Sequence, residues 1–272
     1  SENLNSLRIP ETLMKVKSLI GVFSGKGGVG KSMISLNLAK SLSRQGYKVG
    51  LVDCDIYGPS QPIMMNATNM TLEVKDKKLL KPLFMDGISF MSMGLIAAER
   101  MPVIWRGPMV SGAVMQLLSQ TEWGELDFLV IDTPPGTGDI QLTLMQRMPI
   151  TGAIVITTPE QVSVADARKS IEMMKKLSIP LMGVVENMSY FKCSNCSERH
   201  HIFGEGGGEL LAKEYDLDLV ASFPLLDLKE VDILDDEHCN KQFQILADKL
   251  REKIVQLKSS SSEKIPQTRL KE

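Results

Sequence analysis

Eight consecutive residues, Gly25-Lys26-Gly27-Gly28-Val29-Gly30-Lys31-Ser32, constrain this chain more than any other stretch. They satisfy every fixed position of the phosphate-loop pattern G-x-x-x-x-G-K-[ST]. In such a loop, backbone N–H groups surround a nucleotide's phosphates, and glycines reach conformations that side chains forbid. The pattern assigns Lys31 to the β- and γ-phosphates and the Ser32 hydroxyl to Mg²⁺. Its flanks agree. Residues 18–24 read as a buried strand, and residues 32–43 carry apolar side chains at helical spacing. Strand, loop and helix in that order put the phosphates at a helix N-terminus, where the dipole and free N–H groups favour anions. The expected nucleotide contacts are Gly25, Lys26, Gly27, Gly28, Val29, Gly30, Lys31, Ser32 and the next residue, Met33.

The rest of the chain supplies what a nucleotide site needs, in order. Residues 48–52 form a second strand that ends in Asp53-Cys54-Asp55. Carboxylates at the C-terminal end of a parallel strand stand where open α/β sheets bind ligands. Asp55 is placed to orient an attacking water or to complete the shell of Mg²⁺, whereas Asp53 reads equally as a turn residue. Cys54 reads as a small buried hydrophobe. Residues 64–86 look irregular, with a short hairpin, before a return strand at 88–91 and a helix at 109–120. An apolar strand at 126–131 runs into Asp132-Thr133-Pro134-Pro135-Gly136. That is the Walker B arrangement, with Asp132 holding Mg²⁺ through its water shell. The Pro/Gly-rich loop after it has the composition of a switch. A strand at 153–157, a helix at 163–177 and a strand at 181–186 follow. Asn187 then stands where an amide can bond the adenine edge. No N-K-x-D element for guanine is present, which favours ATP over GTP.

Downstream, Cys193-Ser194-Asn195-Cys196 lies in a polar loop followed by Glu198, Arg199, His200 and His201. A lone C-x-x-C gives two thiolates, half of what tetrahedral zinc or a 4Fe–4S cluster requires. The residues leave three readings open. Two chains can each donate a pair to one cluster; zinc can recruit His200 or His201; or the thiols form a redox pair. Gly204–Gly208 leads into a helix ending near Tyr215, a last strand covers 219–223, and an amphipathic helix covers 239–257. The expected organisation is an N-terminal extension (1–17), one ATPase domain (18–258) and a serine-rich disordered tail (259–272).

Composition closes several routes. With 272 residues and 43% hydrophobic content, one large α/β domain is expected. A net charge of -2 gives no electrostatic case for nucleic acid. No apolar run nears the ~20 residues that span a bilayer, so no membrane partner is expected. Four cysteines are too few for a disulfide scaffold of this size, which points to a reducing compartment, most simply the cytoplasm. The chain starts without Met, and a mitochondrial matrix protein with its transit peptide removed is the alternative.

The second lysine, Lys26, is not needed by an ordinary phosphate loop. GKGGVGKS resembles the deviant Walker A motif of the MinD/ParA/nitrogenase-iron-protein class of ATPases. There the extra lysine reaches across a homodimer to the partner's nucleotide. Taken together, GKGGVGKS, DCDIYGPS, WRGP, DTPPGTGD, VENMSYF and CSNC resemble the Mrp/ApbC family over roughly residues 15–255. The resemblance implies a doubly wound, mostly parallel α/β P-loop fold and a homodimeric ATPase of slow turnover. It also implies that Cys193 and Cys196 of two subunits bridge a labile 4Fe–4S cluster. The partners would be an upstream cluster scaffold and the apo iron–sulfur proteins that receive the cluster. Lys26, Lys31, Ser32, Asp55 and Asp132 would form the ATPase site, with Lys26, Lys31 and Asp55 catalytic. Met33 departs from the family's usual Thr or Ser, and Glu160 from a common Gln. Neither the N-terminal cysteine cluster of cytosolic eukaryotic relatives nor the extra N-terminal domain of many bacterial members is found here. A ParA/MinD-like positioning ATPase with a structural zinc is the rival reading. A reductase like the nitrogenase iron protein fits less well, because that class puts its two cluster cysteines in separate loops.

Overall fold

Runs of consecutive apolar residues dictate the centre of the molecule, because strands buried on both faces cannot alternate polar and apolar positions. The computed structural model describes residues 9–56, 58–75, 79–99, 107–193, 195–225 and 232–262. Strand β1 (Leu19–Ser24) is buried along its whole length and passes through the glycine loop into α1 (Lys31–Arg44). Strand β2 (Val49–Asp53), equally buried, is followed by one turn of helix, α2 (Gln61–Met64). A small hairpin, β3 (Glu73–Lys75) with β4 (Leu79–Lys81), leads to β5 (Leu83–Met85), β6 (Ile88–Ser92) and α3 (Met93–Glu99). Next come α4 (Gly107–Gln120), β7 (Phe128–Asp132), α5 (Asp139–Arg147), β8 (Gly152–Thr157), α6 (Gln161–Lys176) and β9 (Leu181–Glu186). The chain closes with the hairpin β10 (Phe191–Lys192) and β11 (Arg199–His200), then α7 (Gly207–Glu214), β12 (Leu219–Ser222) and α8 (Glu237–Ser262).

The main sheet runs β12-β9-β8-β1-β7-β2-β6-β5, and every pairing in it is parallel except β5 with β6. This is the expected doubly wound, mostly parallel α/β fold. Successive strands β7 and β8 flank β1 on opposite sides, so the winding reverses at β1. Such a reversal opens a crevice at the C-terminal ends of the strands, where ligands bind. Helix α8 closes one face: Phe243, Leu246, Ala247, Leu250 and Ile254 are buried along one side, and Phe243 packs on Phe223 with ring centres 4.4 Å apart.

Several boundaries differ from the sequence reading, each for a local reason. Residues 9–17 pack onto the domain: Leu13 and Val16 are buried, and Thr12 Oγ1 donates to the Ser119 carbonyl at 3.0 Å. The 64–86 stretch contains the expected hairpin, with Glu73 opposite Lys81, but also β5, which caps the sheet edge. Helix α8 continues past Leu257 to Ser262, four residues into the expected tail. There the Ser259 and Ser260 hydroxyls bond back to the carbonyls of Gln256 and Leu257 at 2.8 and 2.9 Å. Residues 1–8, most of the 103–108 stretch and residues 263–272 lie outside the described residues.

Candidate functional site

The phosphate loop sits where β1 ends and α1 begins. Gly30 caps α1 with a left-handed backbone (φ 81°), a conformation open to glycine. A Cβ at Gly25 would stand 2.1 Å from the Asp166 backbone of α6, so the loop lies directly on that helix. Over it opens a cleft of about 780 Å³. Lys26, Gly27, Gly28, Val29, Gly30, Lys31, Ser32, Met33 and Asp55 all line it, with Pro134, Pro135 and Asp139 opposite.

Asp132 stands beneath, fully buried at the end of β7 and in register with Asp53 on β2. Lys31, only 6% exposed, forms a close ion pair with Asp132 Oδ1. Ser35 Oγ donates to the same oxygen at 3.2 Å, and Gln61 Nε2 donates to Oδ2 at 2.9 Å. Asp53 accepts from the Asp55 N–H and the Ser92 hydroxyl, each at 3.0 Å. Burial, followed by the charge of Asp132, pushes its carboxyl up to about 8. Asp55 stands at the cleft wall and accepts from the Gly58 N–H at 3.2 Å. Cys54 is fully buried, and that burial raises its thiol well above the ordinary value, which suits the apolar role read from the sequence.

Three buried amides brace the cleft, two on the phosphate loop and one on the loop that follows β7. Asn187 Nδ2 donates to the Val29 carbonyl at 2.9 Å, Gln61 Nε2 to the Ser32 carbonyl at 2.8 Å, and Gln141 Nε2 to the Pro134 carbonyl. In each case the amide oxygen is buried without a partner. Asn187 thus lies behind the loop, its nitrogen engaged and its oxygen free to accept. Sequence reasoning missed Gln61, Gln141 and Ser35, because a lone glutamine or serine carries no spacing signal. It also missed the cation's partner at the cleft mouth: Lys26 Nζ pairs with Glu160 Oε2 of the same chain at 2.9 Å. Glu160 is the N-cap residue of α6, the helix whose Asp166 backbone abuts Gly25.

The cysteines lie elsewhere. Cys193 and Cys196 occupy the tip between β10 and β11, and neither lines the cleft. The Cys193 N–H donates to the Glu198 carbonyl and the Ser197 N–H to the Cys193 carbonyl, both at 2.9 Å. The backbone N–H groups of Cys196 and Asn195 aim at the Cys193 sulfur and lower its thiol from the ordinary value, with a smaller contribution from the Cys196 side chain. The hairpin is pinned by Tyr190, which meets His238 Nε2 at 3.1 Å and lies under the Arg199 guanidinium. His201 Nδ1 meets the Ser189 carbonyl at 3.0 Å, so that nitrogen is committed. Among the described residues, no three His, Cys, Asp or Glu side chains converge on a metal-sized site. No described helix is long and apolar enough to cross a membrane.

Fold and cleft together define a P-loop NTPase with two lysines in its phosphate loop. Comparison with known proteins narrows the class. The chain belongs to the ParA family, matching over residues 15–258 the family model described as NUBPL iron-transfer P-loop NTPase. It is 50% identical over 220 residues to an iron-sulfur cluster carrier protein of Pseudomonas fragi, covering 80% of this chain and 77% of that one. An Escherichia coli protein of the same description is 49% identical over 216 residues, covering 79% of this chain, which spans only 58% of that relative's length. The mouse iron-sulfur cluster transfer protein NUBPL is 46% identical over 218 residues, covering 79% of this chain and 68% of that one. Among solved structures, a nucleotide-binding protein of Archaeoglobus fulgidus in complex with ADP superposes with a TM-score of 0.70 at 35% identity, covering 88% and 90% of the two chains. The cell-division ATPase MinD of Pyrococcus furiosus shares the fold (TM-score 0.59, 19% identity, 87% and 99% covered).

Proposed function

We propose that this protein is an ATP-hydrolysing carrier in which two chains hold a 4Fe–4S cluster between their Cys193/Cys196 pairs and pass it to apoproteins. The observation that carries the reading is the combination, in one chain, of a complete phosphate cleft with two thiols that have no further ligand among the described residues. Four thiolates ligate a 4Fe–4S cluster, and two chains supply them. The carrier and transfer descriptions of the relatives support the same cargo.

The cleft's chemistry follows from its residues. The loop amides and the α1 N-terminus bind the phosphates. Lys31 exchanges its Asp132 oxygen for a phosphate oxygen and neutralises charge that grows as water adds to the γ-phosphorus and ADP leaves. Asp55 orients that water. Lys26 leaves Glu160 to reach the partner's nucleotide, so dimerisation must open that ion pair. Asn187 Oδ1, an unpartnered acceptor, suits the adenine amino group. The site also fits Mg²⁺: Ser32, Asp55 and Asp132 are a hard oxygen donor set, the kind this ion prefers. When bound, Mg²⁺ would supply charge neutralisation at the phosphates. The free thiols imply a reducing compartment, the cytoplasm or the mitochondrial matrix.

The test is anaerobic reconstitution of the wild-type chain and a Cys193→Ala/Cys196→Ala variant, followed by iron, sulfide and mass measurement. About four irons per dimer, lost in the variant, is the expected result. Tight zinc with no cluster uptake would overturn the carrier reading and leave a P-loop ATPase with a structural metal.

A further inference from the structure

Gln61 has no task in the reading above, yet it is the residue that joins its parts. It opens α2, directly after the segment that carries Asp55, and it is fully buried. Its Nε2 donates to the Ser32 carbonyl at 2.8 Å and to Asp132 Oδ2 at 2.9 Å. The orientation of the amide is fixed by chemistry, since turning it over would set oxygen against two acceptors. Its Oε1 is buried and has no partner. A methionine would fill the same space without leaving a buried acceptor unsatisfied, so packing alone does not account for an amide here.

The two groups that Gln61 joins are the two that differ in what they must do. Lys31 holds Asp132 Oδ1 and, on the reading above, leaves it for a phosphate. The carboxylate then depends on neutral donors, Gln61 on one oxygen and Ser35 on the other, to keep its direction. A neutral donor does this without adding positive charge that would compete with a cation. The Gln61 acceptor shares its amide carbon with that donor, so holding the nitrogen between Asp132 and Ser32 also fixes where the unpartnered oxygen can point. We infer that Gln61 is a positioning residue for hydrolysis: its N–H groups lock Asp132 to the Ser32 turn, and its Oε1 accepts a hydrogen bond from a water in the Mg²⁺ shell. The inference rests on the reading that Ser32 and Asp132 hold that ion.

Two variants test it, Gln61→Met, which keeps the volume, and Gln61→Asn, which keeps the neutral amide but draws it back by one methylene. Binding of a fluorescent ATP analogue to the full chain is measured without Mg²⁺ and across a Mg²⁺ titration, and kcat and KM are measured separately. The expected result is nucleotide affinity without Mg²⁺ within about two-fold of wild type, and a Mg²⁺ midpoint raised roughly 10- to 100-fold. The loss of hydrolysis should fall on kcat rather than KM. If Gln61→Met does not fold, Gln61→Asn decides the question by the same midpoint. Folded variants with the wild-type midpoint and kcat would overturn the role of Gln61 alone. A wild-type chain whose nucleotide binding ignores Mg²⁺ would overturn the ATPase reading and this role with it.

Discussion

The phosphate cleft and the cysteine hairpin are built by opposite means. The cleft hangs on the buried ends of β1, β2 and β7, and its central ion pair is 6% and 0% exposed at Lys31 and Asp132. Two buried amides hold its phosphate loop and a third holds the loop after β7. The hairpin has strands of two residues each, an exposed Cys196 and a half-buried Cys193, and it is tied down chiefly by Tyr190. One site carries its phosphate loop and buried acid within a single chain; the other offers two free thiols at the surface. The difference teaches that nucleotide chemistry here is a property of the fold, whereas metal chemistry is a property of what the surface meets. Damage to the first should therefore cost stability, and damage to the second should not.

Lys31→Ala is the strongest attempt to break that contrast. It strips from a fully buried Asp132 the only cation within contact distance among the described residues and leaves the carboxylate to Ser35 and Gln61. Removing one partner of a buried pair costs about 3–5 kcal/mol. Calorimetry should show a lowered Tm, and hydrolysis should be lost. A variant with the wild-type Tm would mean that the ion pair carries no stability, and the contrast would fail at its centre.

Asp53 sharpens the contrast through pH. Its folded carboxyl titrates near 8 against an ordinary 3.8, because it is buried and faces Asp132. Between those values the folded chain holds a proton that the unfolded chain releases. Stability is therefore greatest, for this group, below about pH 4 and falls as pH rises toward 8, by at most about 1.4 kcal/mol per pH unit. Asp53→Asn does not titrate and keeps an oxygen for the Asp55 N–H, so its slope over this range should be shallower. Urea midpoints of the metal-free chain at pH 5, 6.5 and 8 measure it. Equal slopes would show that the buried carboxyl is not linked to folding.

How much of this was legible beforehand depended on whether a residue signals by spacing or by depth. Lys31, Ser32 and Asp132 belong to motifs set by local chain geometry, and strand-loop-helix order was enough to bring them together. The sheet was legible because continuous apolar runs have few alternatives to a buried strand. Gln61, Gln141 and Ser35 were not, since what matters is the depth at which long-range folding places an ordinary polar side chain. Glu160 was noticed only as a departure, without its partner, because the Lys26 pair spans 134 positions of sequence. The short helices α2, α3 and α5 escaped because four to nine residues give too few turns for a periodic pattern.

The smallest expected effect on stability belongs to the hairpin. Cys193→Ser/Cys196→Ser changes two surface thiols that fill no core, so Tm should move by less than about 2 °C. The same change should abolish iron uptake while leaving nucleotide binding intact. The thiols carry a second signature in the wild-type chain. Amides of Cys196 and Asn195 stabilise the Cys193 thiolate, so its alkylation rate should rise with pH from below the ordinary value of 9. Peptide mapping after brief alkylation between pH 6 and 9 reads this at Cys193 itself. A large drop in Tm would show that the cysteines help hold the fold. An inflection at or above 9 would show that the turn does not prepare a thiolate, and the hairpin would lose its claim to be poised for metal.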